Sequence, residues 1–342
     1  DVMRERRLRR TIELGLVPDT TVLAPAPANH RSWVDLTPEE RSVSAREMQV
    51  NAGMMEAADY HLGRLLDHLE AIGALQRTIV MVLSDNGAES AKTSLDGPAN
   101  LGLDAIKLIE GFDTSFENLG QRRSLTAVGP EWASVLSAPF DLYKFYASEG
   151  GLRVPLIAAG PGIAASKAEH APVHVADLVP TILEATGVAY DPDQFYGRSA
   201  LPMLSGNSDT TYKDDESFAF EVSGNAAVYR GKWKITRNTP PRGDSAWRLY
   251  DLSIDPGETM DLSAANSELF EDMLAEYRSY ARNVGVFEVG QDDYAITALN
   301  KNLLLKVFYK YWPHALGFII AVGAACFFTG KFGLALLRRR VL

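Results

Sequence analysis

The stretch Thr78-Ile79-Val80-Met81-Val82-Leu83-Ser84-Asp85-Asn86-Gly87 decides the fold. Its apolar run is too short for a helix between breakers and reads as a buried parallel strand. The run stops in Asp-Asn-Gly, which puts a carboxylate and an amide carbonyl at the strand's carboxyl end. In open α/β sheets that is where ligands bind. Two hard oxygen donors, Asp85 and Asn86, suit Ca²⁺ or Mg²⁺ better than a softer metal. The competing reading is a plain strand followed by a turn, because Asp, Asn and Gly are all turn formers.

Upstream of the strand, Thr37-Pro38-Glu39-Glu40 is a strong helix start, with Thr37 as N-cap, Pro38 at the first helical position and Glu40 closing a capping box. Apolar residues then recur at Met48, Ala52, Met55, Leu62, Leu66 and Leu69, and Gly73 is the expected stop. His61 and His68 lie seven apart on this helix, whereas a metal pair uses a spacing of three or four. Both read as flank residues of a packed helix. Residues 3–16 read as helical, and 17–36 as a Pro-rich loop.

Downstream, residues 88–139 read as a long irregular connection rich in Gly, Ser, Asn and Asp, the kind that is usually functional or mobile. A strand is expected at about 154–159. The Gly160-Pro161-Gly162 that follows is a weak match to a dinucleotide fingerprint, since no helix begins there. A helix is expected at 174–186. Beyond a polar stretch at 205–215, short β segments are expected at 217–222, 226–230, 232–237 and 247–251. A helix at about 266–283 follows, with Phe270, Met273, Leu274, Tyr277 and Tyr280 on its core face. Three regions result: 1–210, a larger α/β domain; 211–290, a smaller α+β subdomain; and 291–342, a linker and tail.

Charge is uneven. The tail 301–342 carries seven basic residues and no acid, which leaves 27 basic against 44 acidic residues in 1–300, a formal −17. A body so acidic argues against nucleic acid as a partner. Cys326 is the only cysteine, so no intrachain disulfide forms. The charged, helix-like start at Asp1-Val2-Met3-Arg4 has neither an apolar signal segment nor an initiator Met, and suggests a chain that opens inside a longer protein.

Four segments, in order, carry a resemblance. They are Leu83-Ser84-Asp85-Asn86-Gly87-Ala88-Glu89; Lys144 through Glu149-Gly150-Gly151-Leu152-Arg153-Val154-Pro155; Val175-Ala176-Asp177-Leu178-Val179-Pro180-Thr181-Ile182-Leu183; and Leu249-Tyr250-Asp251-Leu252 leading to Asp255-Pro256-Gly257-Glu258-Thr259. Over roughly residues 1–290 the chain resembles the sulfatase family, specifically bacterial arylsulfatases of the alkaline-phosphatase-like superfamily. The resemblance implies an α/β fold, an alkaline-phosphatase-like sheet flanked by helices and present here in part, with the smaller subdomain after it.

It also implies roles. A family Ca²⁺, sometimes Mg²⁺, is held by two early aspartates and a later Asp-Asn pair, which Asp85 and Asn86 match. Lys144 matches the lysine that contacts the sulfate, and Glu149, Gly150 and Gly151 match the loop that positions it. Cleaving a sulfate ester develops negative charge on the sulfuryl oxygens and leaving group, which a divalent cation and an ammonium group stabilise. Lysine's compact charge suits an anionic oxygen. Without the resemblance, Lys144 reads as a solvated lysine between Tyr143 and Phe145.

The family nucleophile is a formylglycine made from a C/S-x-P-x-R motif. Neither that motif nor the early aspartate pair occurs in this chain. The expectation is therefore the C-terminal part of a sulfuric ester hydrolase, with the formylglycine in an upstream part, unable to turn over alone. The substrate class implied is a small-molecule or carbohydrate sulfate ester, and no protein partner is expected. Two alternatives are a phosphatase or phosphonate-ester hydrolase of the same superfamily, and a non-catalytic, membrane-tethered remnant.

The apolar run Ala315–Gly330, widened to 311–337, reaches the length of a transmembrane helix. Tyr309, Tyr311 and Trp312 fit an interfacial belt, and Arg338, Arg339 and Arg340 a cytoplasmic anchor. The expectation is a membrane-anchored protein whose body lies in the periplasm or outside the cell.

Overall fold

A computed structural model describes residues 2–27, 30–92, 107–108, 110–165, 168–286, 305–306, 308–313 and 316. The chain divides into two compact units, 1–289 and 290–342. The first opens with helix α1 (Val2–Glu13) and a loop that contains a 3₁₀ turn at Trp33–Asp35. Helix α2 (Pro38–Ala71) starts at the predicted capping box: Glu40 N–H donates to Thr37 Oγ1 at 3.2 Å, and Thr37 N–H to Glu40 Oε2 at 2.8 Å. Strand β1 (Val80–Leu83), helix α3 (Gly129–Ser137), the single turn α4 (Glu149–Leu152) and strand β2 (Leu156–Ala159) follow. Then come helices α5 (Leu178–Ala185) and α6 (Leu201–Leu204), strands β3 (Ser217–Val222), β4 (Asn225–Arg230), β5 (Trp233–Arg237) and β6 (Trp247–Asp251), and helix α7 (Ser267–Val284).

Three expectations need correction. First, β1 is not a buried parallel strand. It pairs antiparallel with β2, Val80 opposite Ala159 and Leu83 opposite Leu156, in a two-stranded sheet. A ribbon this narrow cannot cover both faces, and Val82 and Leu83 stay 38% and 41% exposed. Second, α2 buries none of its residues fully. Its predicted apolar stripe is half covered at Met48, Leu62, Leu66 and Leu69, while Met55 is exposed. His61 stays at the surface, its Nδ1 3.1 Å from Arg64 Nη1. Third, the connection 88–139 is not irregular throughout. Pro130 at the first turn of α3 starts a regular helix that buries Ala133 and Ser134.

The anchor expected at 311–337 lies mostly outside the described residues. Among the described residues no helix is long and apolar enough to cross a membrane. In the second unit the described residues are helical, and Phe308 stacks on Trp312 one turn away.

The four-stranded sheet runs β3-β4-β5-β6 in sequence order, every pair antiparallel. Two-residue turns join its first three strands. Ser223 (φ 53°) and Gly224 (φ 86°) make the first; Gly231 (φ 54°) opens the second, and both follow the twist of the strands they join. Alternation along the strands gives the sheet two different faces. Ala226, Val228, Ile235 and Leu249 point to one side and pack with Met273, Leu274 and Tyr277 of α7. Ala227 and Tyr229 point to the other, where they meet Ala147, Tyr212 and Phe218. Lys234 and Thr236 flank Ile235 in β5 and share this second face, against the loop that contains Lys144.

Candidate active site

Asp85 and Asn86 leave β1 at its carboxyl end, as the sequence predicts. Ser84 Oγ donates to Asn86 O at 2.8 Å and rounds off the turn. Asn86 Nδ2 donates to Gly87 O at 3.0 Å, which fixes the amide and leaves its carbonyl oxygen as an acceptor. The Asp85 carboxylate is exposed.

Gly87 is where this tip meets the Lys144 loop. Its N–H donates to Gly151 O at 2.9 Å, and a Cβ on it would collide with Gly150 O. One step on, Lys144 N–H donates to Ala88 O at 3.1 Å. The two segments, about sixty residues apart, are thus tied by main-chain bonds on both sides of one contact. Gly87→Ala is expected to force them apart at a cost of about 3 kcal/mol. Chemical denaturation of the variant checks this, and a loss below about 0.5 kcal/mol would mean the backbones part without strain.

Lys144 Nζ lies 2.7 Å from Glu89 Oε2, and the two side chains are 42% and 50% exposed. The Glu89 hydrogen bond raises the Lys144 pKa against slight burial, and the charges of Glu89 and Asp85 raise it further. Lys144 therefore stays an ammonium ion, within the field of Asp85. An ion pair so solvated is weak, so Glu89 is an exchangeable partner that another anion can replace.

Sequence reasoning missed what stands behind this lysine. Glu149 is buried and accepts from Lys234 Nζ at 2.8 Å and Tyr229 OH at 2.6 Å. Lys234 Nζ also sits 2.8 Å from Glu258 Oε1, and Glu149 N–H donates to Glu258 Oε2 at 2.8 Å. Burial pushes Glu149 up, but Lys234 and Arg153 outweigh it and the net shift is down. Burial would lower Lys234, yet Glu149 and Glu258 hold it well above the usual lysine value. Glu258 is the odd carboxylate: burial, reinforced by Glu149 and Asp141 and opposed by Lys234, pushes it up to about 7. In the sequence Glu149 and Glu258 showed only as members of family-like segments, and Tyr229 and Lys234 read as ordinary strand residues.

A raised carboxyl pKa means that the folded chain holds a proton the unfolded chain has released. This stabilising contribution is complete below the unfolded glutamate value of roughly 4.3 and is lost as pH rises through about 7. Urea midpoints are expected to fall between pH 5 and pH 8 through Glu258, and Glu258→Gln is expected to flatten that slope. An unchanged slope in the variant would assign the titration elsewhere.

His30 is a second residue the sequence did not offer. Its ring stacks on Tyr143 at 6.0 Å between centroids, with Nε2 3.5 Å from the phenol oxygen. Burial, then the charge of Arg242, pushes it down to about 4, so it is neutral at neutral pH. It lies in the Pro-rich loop, where no periodicity marks it. By contrast Asp177 of the third family-like segment is fully buried: it accepts from His174 N–H at 2.7 Å, Arg198 N–H at 2.8 Å and Tyr212 OH at 2.6 Å. Its oxygens are spent on folding.

The sulfatase family profile matches residues 20–188, and that of the N-sulphoglucosamine sulphohydrolase C-terminal region matches residues 140–279. The chain belongs to the sulfatase family. It is 34% identical to an uncharacterized sulfatase of Schizosaccharomyces pombe over 308 residues, 85% of this chain and 54% of that protein. It is 32% identical to an arylsulfatase of Klebsiella aerogenes over 202 residues, 58% of this chain and 42% of that one. The crystal structure of Ps i-CgsB in complex with k-i-k-neocarrahexaose superimposes with a TM-score of 0.51 at 20% identity, over 81% of this chain and 53% of that one, a likeness of fold. This sulfatase chain thus spans about half the length of the relatives it matches.

Asp85 and Asn86 fit one side of a hard-cation site: an exposed carboxylate with an amide oxygen beside it. They are two donors where Ca²⁺ takes six to eight. Among the described residues no group of three or more His, Cys, Asp or Glu side chains could hold a metal.

Proposed function

We propose that the whole protein hydrolyses sulfate esters, an aryl or carbohydrate sulfate being the substrate class, and that this chain supplies one wall of its active site. The observation that supports this best is the tie between the Asp85-Asn86-Gly87 tip and the Lys144 loop through Gly87, Gly151, Ala88 and Lys144. It joins the segment that carries Asp85 and Asn86 to the loop that carries Lys144, whose ammonium feels the charge of Asp85, and hard oxygen donors near an ammonium group would suit sulfuryl transfer. Lys144 would exchange Glu89 for a sulfate oxygen, hold the ester and offset charge as the bond to the leaving group breaks. Asp85 and Asn86 would hold a Ca²⁺ or Mg²⁺ ion, and such an ion, when bound, would supply Lewis-acid stabilisation of the same oxygens.

The 342 residues contain no C/S-x-P-x-R motif. On this reading the chain by itself does not turn over, because the covalent step lacks its nucleophile. The tail 311–337 is proposed as a membrane anchor on its apolar sequence alone. The test is an aryl sulfate assay on the protein that carries the complete sulfatase sequence, with and without EDTA. Metal-dependent release of the phenol is expected, and Asp85→Asn is expected to suppress it. Turnover that ignores EDTA, or a preference for the matching phosphate ester, would overturn the proposal.

A further inference from the structure

We propose that the β3–β6 sheet is the positioning element for Lys144: side chains from its second face and flanking loops grip the backbone of residues 145–149 and thereby set where the Lys144 ammonium stands relative to Asp85. This rests on the reading of Lys144 as the residue that contacts the sulfate.

Three grips occur at alternate residues. Asn225 Nδ2 donates to Phe145 O at 3.0 Å, and Asn225 is itself locked, because its Oδ1 accepts from Thr239 N–H at 2.7 Å. Asn238 Oδ1 accepts from Ala147 N–H at 2.7 Å, and its Nδ2 donates to Ser148 Oγ at 2.8 Å. Glu258 accepts from Glu149 N–H, while Lys234 holds both glutamates. The gripping residues lie 80, 91 and 109 positions along the chain from their partners, so none of these bonds is local.

The backbone records the constraint. Leu142 (φ 54°) and Phe145 (φ 87°), on either side of the Tyr143-Lys144 pair, and Glu258 (φ 57°) are non-glycine residues in the left-handed region. Such conformations persist only where the surroundings over-determine them. The long Lys144 side chain supplies little order of its own, since it is partly exposed and, among the described residues, its ion pair is with Glu89. Its placement is therefore inherited from the main chain on either side: Ala88 in front and the sheet behind. Misplacing a charge-stabilising group by about 1 Å can cost on the order of a hundredfold in rate. Asn225, Asn238 and Glu258 are positioning residues in this sense, and none of them need touch substrate.

Glu258→Gln keeps shape and removes fit. Two donors, Glu149 N–H and Lys234 Nζ, face the two carboxylate oxygens, and an amide offers only one acceptor. Asn238→Ala removes a different grip from a half-buried side chain, so folding of the chain does not hinge on one substitution. Met273→Ala is the comparison, because it weakens the opposite face of the same sheet, against α7. Hydrogen exchange on the chain as it stands reads the loop directly. Segments 84–92 and 141–152 are expected to exchange at least about tenfold faster in both grip variants, with strand amides of β3–β6 unchanged, whereas Met273→Ala lowers Tm without that local signature. In the complete protein, kcat is expected to fall at least about tenfold in the grip variants with KM within about twofold. Loop exchange at the parent level, or a rise shared evenly with the sheet as in Met273→Ala, overturns the proposal. A parent protein without sulfatase activity would sink the sulfatase reading alone, since the exchange experiment needs no turnover.

Discussion

Lys234→Met is expected to destabilise the chain by about 3–5 kcal/mol at pH 8, the usual penalty for removing one partner of a buried ion pair. The side chain is fully buried, its ammonium 2.8 Å from one oxygen each of Glu149 and Glu258 and 4.9 Å from the centre of the Tyr229 ring. Methionine fills the space but leaves two carboxylates facing each other with Arg153, 3.7 Å from Glu149, as the remaining counter-charge. The loss should shrink at pH 5, where protonating one carboxylate relieves the repulsion. Adding Glu149→Gln and Glu258→Gln to the same chain should recover much of it, because a neutral cluster incurs no charge penalty. Urea unfolding of the single and triple variants at both pH values provides the check. A loss under about 1 kcal/mol for the single variant would mean that the carboxylates find other partners.

Lys144→Ala, in the protein with the complete sulfatase sequence, is expected to lower kcat for an aryl sulfate by about 10²–10³, the scale for removing one preorganised charge-stabilising group. Stability should hardly change, since the pair with Glu89 is solvated and worth about 0–1 kcal/mol. Arginine should rescue poorly, because its planar fork is a different shape from a compact ammonium. The contrast with Lys234 is informative: two lysines, one in the loop before α4 and one within β5, face opposite demands, one partly exposed and exchangeable, one sealed and structural. Wild-type kcat in Lys144→Ala would remove that residue from the chemistry.

Much of the fold was legible because its signals are local. The strands at 217–222, 226–230, 232–237 and 247–251 and the helix at 266–283 were readable from alternation, tight turns and helical spacing, and they appear within a residue or so of those limits. The pairing of β1 was not legible. A short run of Val, Met and Leu states that a strand wants apolar neighbours but not which strand provides them, and the partner here is antiparallel. The helix Gly129–Ser137 was hidden by the small and polar residues around it. At the site, Asp85, Asn86 and Lys144 stood out by residue type and order. Lys234 and Asn225 did not, because a lysine or asparagine on a strand normally faces water; Asn238 sits just past β5, and Glu258 was visible only as part of a family-like segment, with no role attached. Only the meeting of distant segments turns them inward, and no window of sequence contains that meeting.

The sheet's sequential topology has a kinetic consequence. Its first hairpins close over two-residue turns, a process of microseconds, whereas the bonds to residues 145–149 must close loops of eighty residues or more. Pulse-labelled exchange during refolding should find strand amides protected before those of 144–151. During synthesis the order is reversed, because the segment 84–149 leaves the ribosome before the strands that will clasp it exist. Lys144 is thus made early and aligned late, and a nascent chain carries it unaligned until the meander behind it has formed.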